Sequence, residues 1–135
     1  MVNKEGPRPR AGNPKIDWAG IILIVLICEK IIQHIAVTLA FYFNWKSIIS
    51  TVKVDPAILM ILGAIIAVLF MLSLWGMITQ KKWALNLVLG LAVFDMVGEF
   101  VAQGRIDIVI NVSFLVATLL LLLALQIRQK KLNPA

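Results

Sequence analysis

Four stretches of this chain, about 18–43, 57–79, 83–103 and 106–128, are almost wholly apolar. Each is near or above the roughly 20 residues an α-helix needs to cross a bilayer core. Helices apolar around their whole circumference must be buried on every side, and a chain of 135 residues has too little interior to do that for four of them. Lipid is therefore the expected solvent. The composition agrees: 61% of residues are hydrophobic and 15% charged, against roughly 45–50% and 25% in a soluble domain. A water-soluble globule and a disordered chain are both excluded. Membrane β-strands would alternate in polarity over about ten residues, and only Ser47–Val54, in the first loop, comes near that pattern. The expected fold is an all-α integral membrane protein, a four-transmembrane-helix bundle.

The punctuation between the spans fits. Asp55-Pro56 reads as an N-cap with proline at the first helical position, and Gln80-Lys81-Lys82-Trp83 and Gly104-Arg105 read as tight polar turns. Trp18, Tyr42, Trp45, Trp75 and Trp83 fall near span ends, where amphipathic rings favour the headgroup level. Three regions result: a polar basic tail over 1–17, a single transmembrane domain over 18–128 and a basic tail over 129–135. The first apolar stretch is too long for a signal-peptide core and no A-x-A site follows it, so it reads as an uncleaved span. A lone Cys28 provides neither a disulfide framework nor a thiolate metal motif.

Lys and Arg divide unevenly between the two sides. Lys4, Arg8, Arg10, Lys15, Lys81, Lys82, Arg128, Lys130 and Lys131 fall on one side; Lys46, Lys53 and Arg105 fall on the other. Under the positive-inside rule both termini are expected in the cytoplasm, in a multi-pass protein of the cell inner (plasma) membrane. The basic inner face then attracts anionic lipids, at about 1 kcal/mol per residue. Nucleic acid is not expected as a partner, because the chain lacks a folded basic platform.

Ionisable residues inside the spans are the informative ones, since each costs at least ~2.5–3.5 kcal/mol near the bilayer centre. The first span carries Glu29, Lys30, Gln33 and His34; the third carries Asp95 and Glu99, with Gln103 one turn beyond. Lys30/His34 and Asp95/Glu99 are both i, i+4 pairs, each on one helix face. Counted from Trp18 and Trp83 at about 1.5 Å per residue, Lys30 and Asp95 share one depth, and His34 and Glu99 another. If the two helices face each other, Lys30 pairs with Asp95 and His34 with Glu99. Asn111 on the fourth span lies at a depth that lets it complete the second layer.

Three carboxylates thus meet one lysine and one histidine, and a buried charge without a partner shifts its pKa instead of staying ionised. That surplus is what a proton or cation relay uses. The expected function is a small membrane transporter or channel-like protein that binds or relays protons or a cation through Glu29, Lys30, His34, Asp95, Glu99 and Asn111. The alternative is a non-catalytic membrane subunit or scaffold, in which these residues only fix helix packing and the protein binds a partner complex. No cofactor is expected. A divalent metal on His34, Asp95 and Glu99 is the remaining chemical option, and haem held by two histidines is excluded because His34 is the only one. No G-x-S-x-G, H-E-x-x-H, P-loop or G-x-G-x-x-G motif points to an enzyme. The small-residue pairs Ala36/Ala40, Gly63/Ala67 and Gly98/Ala102 permit close helix approach, within one chain or in a homo-oligomer.

Overall fold

The computed structural model describes residues 17–104 and 112–133. It is all-helical among them: α1 (Trp18–Tyr42), α2 (Lys46–Ile49), α3 (Pro56–Ile78), α4 (Ala84–Gln103) and α5 (Val112–Leu132). The four long helices are each long and apolar enough to cross a membrane. Three of them match the apolar runs to within a residue at either end. The stretch 106–111, including Asn111, lies outside the described residues. Two features depart from the sequence reading. The first loop contains the short helix α2, and α5 runs past residue 128 to Leu132. The extension follows from composition, since Arg128, Gln129, Lys130, Lys131 and Leu132 are all strong helix formers and cations favour a helix C-terminus.

Local chemistry sets the helix ends. The Asp55 side chain accepts from Ala57 N–H at 2.8 Å, and Pro56 at the first helical position needs no donor partner. At the other end of α3, Gln80 adopts φ 55°, Lys81 N–H donates to Gly76 C=O at 2.8 Å and Gln80 N–H donates to Met77 C=O at 3.2 Å. This is the Schellman pattern. It recurs at the end of α1, where Asn44 takes φ 54° and Trp45 N–H donates to Ala40 C=O at 2.9 Å.

Packing is four-cornered. α1 lies against α3 and α5, and α4 lies against the same two, so α1 and α4 face each other across the diagonal. The tightest packing is at the end carrying the α3–α4 turn. There Leu23 and Ile27 of α1, Phe70 of α3, Val88 and Ala92 of α4, and Leu120 and Ala124 of α5 form one apolar core. Outward faces are equally apolar, with Val25, Ile32, Val68 and Leu122 exposed. A helix bundle apolar on both faces is what lipid surroundings require.

Glycines record where the helices approach closely. A Cβ on Gly76 falls 2.8 Å from both Ala84 Cβ and the Trp83 ring, and one on Gly63 falls 2.7 Å from Thr38 Oγ1. Of the small-residue pairs, Gly63/Ala67 and Ala40 pack within the chain, whereas a Cβ on Gly98 meets nothing within 4 Å. Gly90 is equally open. Two alanine substitutions should therefore differ in sign. In detergent melts, Gly76→Ala should lose about 1–3 kcal/mol through overpacking, while Gly90→Ala should be neutral or gain up to about 1 kcal/mol from helix propensity. Equal melting temperatures for the two variants would contradict the close α3–α4 hairpin.

Candidate functional site

Halfway along the bundle, directly beyond the apolar core, lies a layer of polar side chains. Lys30 heads it. Starting twelve residues into α1, its stem crosses the bundle centre and is fully buried at 0% exposure. Its ammonium donates to Gln33 Oε1 at 3.0 Å, to Ser113 C=O at 2.9 Å and to Ser113 Oγ at 3.0 Å. It also pairs with Asp95 Oδ2 at 2.5 Å. Its three protons go to Gln33 and Ser113, so no donor is left over, and the Asp95 contact is one of charge.

The other oxygen of Asp95 faces histidine. His34 Nε2 stands 3.1 Å from Asp95 Oδ1, close enough for an ion pair when the imidazole is protonated but not aligned as a hydrogen bond. The ring lies against Phe70, stacked with centroids 5.6 Å apart. Thus Asp95 on α4 holds together the two i, i+4 residues of α1. The expected Lys30–Asp95 pair forms. The expected His34–Glu99 pair does not, because α1 and α4 are diagonal and the long lysine draws Asp95 to the centre, where His34 meets it first. Glu99 has an interaction of its own.

A cavity of about 890 Å³ opens above this layer. His34, Gln33, Asp95 and Ser113 lie on its polar side, and Glu99 lines it one turn further along α4. Its walls are otherwise mainly apolar, including Val37 and Phe41 of α1, Leu59, Leu62 and Ile66 of α3, and Phe94 and Val97 of α4. The cavity follows from two features already described. α3 and α4 meet closely at Gly76, and along the opposite half of α4, Gly98 and Ala102 present too little side chain to fill the space beside them. Near α2, Ile48 and Thr51–Val54 complete the lining, and Lys53 N–H ties that loop to α4 through Ala102 C=O at 3.0 Å.

The remaining nominated residues fall elsewhere. Glu29 does not line the cavity, and its Oε2 is buried without a hydrogen-bond partner. Asn111 lies outside the described residues. No three His, Cys, Asp or Glu side chains among the described residues are gathered so as to hold a metal ion. The sequence reading missed Ser113, which joins the Lys30 layer from α5. Its signal was available, since a serine within an apolar span seeks a partner across helices. The Phe70 stack has no sequence signal. Together these elements define a helical bundle of membrane-spanning character with a one-sided cavity on a central ion pair. Comparison with known protein families, with curated proteins and with solved structures finds no match.

Removing one partner of a buried ion pair strands the other, at about 3–5 kcal/mol, while replacing both by apolar residues is often neutral. In detergent unfolding, Lys30→Met and Asp95→Leu should each be strongly destabilising, and the double variant should recover most of the loss. Additive losses in the double variant would contradict the pairing.

Proposed function

We propose that the protein is a small membrane transporter or channel-like protein that takes up a proton or a cation at His34 and Asp95, with Glu99 further along the same cavity. One observation carries this reading: the 890 Å³ cavity reaches Asp95 and His34, so the polar layer is not wholly sealed within packed side chains. Chemically, Lys30 fixes the negative charge of Asp95 in place. Asp95 in turn orients His34, the one side chain at the cavity whose ordinary pKa lies near neutrality. Uptake at His34 changes the charge of the layer by one. Beyond the layer the apolar core closes the bundle, so passage requires the core helices to shift, as in alternating access.

The orientation in this reading has both termini in the cytoplasm. Lys81, Lys82, Arg128, Lys130 and Lys131 lie at the core end, facing the anionic inner leaflet of the cell membrane, and the cavity faces outward. A second copy or a partner complex would lie against the exposed apolar faces. The scaffold alternative draws on a different observation, the complete satisfaction of Lys30, which by itself serves packing alone.

Flux separates the two. Reconstituted in proteoliposomes with an imposed pH or cation gradient, the wild type should show flux above empty vesicles, and His34→Phe and Glu99→Gln should each reduce it at least tenfold while retaining helical content. Absence of flux under every gradient, with both variants altering only thermal stability, would establish the scaffold reading instead.

A further inference from the structure

The cavity is far larger than a proton or a bare ion needs, and its walls are apolar. Volumes of about 300–1,000 Å³ with mainly hydrophobic linings and a few placed polar groups are those of organic-ligand sites. The polar end also has a definite sense. Every proton of the Lys30 ammonium is engaged by Gln33 and Ser113, so what remains there for a ligand is acceptor capacity, above all on the Asp95 carboxylate. Lys53, the cation elsewhere in the lining, is exposed, and its charge is screened by water.

We infer that the cation taken up is an amphiphilic organic amine, its protonated nitrogen donating to Asp95 and its hydrocarbon body lying along Leu59, Leu62, Ile66 and Phe94. This deepens the proposed function and rests on the cavity being a cation site. An ammonium with N–H donors satisfies the acceptors directly, whereas a quaternary nitrogen offers charge without donors and a carboxylate meets Asp95 with like charge. Gly98 provides the means of testing it, since a larger side chain there enters open space instead of packed neighbours.

The test is equilibrium binding to the full chain in nanodiscs, with empty nanodiscs as baseline, using decylamine, decyltrimethylammonium, decanoate and sodium ion as probes. Decylamine should bind saturably at one per chain, at least tenfold more tightly than the other three. Gly98→Leu should weaken it at least tenfold while leaving the melting temperature within a few degrees; Leu62→Trp serves as a second cavity-filling variant should the first fail to fold. No saturable decylamine binding, equal binding of decanoate, or binding indifferent to both cavity-filling variants would overturn the inference. Proton or cation flux that persists alongside such a result leaves the proposed function standing without the amine; loss of both flux and amine binding removes the two together.

Discussion

A lysine ammonium in the middle of an apolar helix bundle is the constraint to which the rest of the structure answers. Lys30 costs several kcal/mol to place there unless acceptors and a counter-charge surround it, and three other positions supply them: Gln33 one turn along its own helix and Ser113 on α5 accept its protons, and Asp95 across the diagonal answers its charge. Because α1 and α4 occupy opposite corners, only a long side chain can join them. The contacts of Lys30 therefore fix the relative heights of α1, α4 and α5 at once. A slip of one helical turn, about 5.4 Å, would strand both charges.

That layer divides two unlike halves. On the turn side, Gly76 lets α3 and α4 touch, and leucine, isoleucine, valine and phenylalanine fill the interior. On the α2 side, Gly98 and Ala102 leave space, and the loop tethered through Lys53 bounds it. Small residues thus act in opposite ways at the two ends. Gly76 lacks a side chain so that helices can meet; Gly98 lacks one and nothing takes its place.

Much of this was legible in the residues. The four spans follow from apolar run length, and the equal depths of Lys30 and Asp95 follow from helical rise, which together foresaw the central pair. What the residues did not reveal depends on which helices share a side. Depth alone cannot distinguish an adjacent helix from a diagonal one, so His34 was matched to Glu99 at its own level when the reach of Lys30 brings Asp95 to it instead. Gly98 shows the same gap. Its four-residue spacing to Ala102 is identical to that of Gly63 and Ala67, yet a Cβ on Gly63 meets Thr38 at 2.7 Å while one on Gly98 meets nothing within 4 Å, although both glycines border the cavity. The end of α5 was misplaced for a simpler reason: apolarity marks where lipid stops, whereas Arg128 to Leu132 continue the helix on propensity.

The central claim is that the cavity brings water to the middle of an otherwise apolar bundle, against a dry core on the other side of the ion pair. In a Cys28→Ala background reconstituted in vesicles, Gly98→Cys and Ala92→Cys place one thiol on each side of that layer, and their rates of reaction with a charged, water-soluble thiol reagent compare the two halves. The predicted result is rapid labelling at position 98 and at least tenfold slower labelling at position 92. Equal, negligible labelling at both positions would mean that the polar layer is sealed and would contradict the cavity as a functional site.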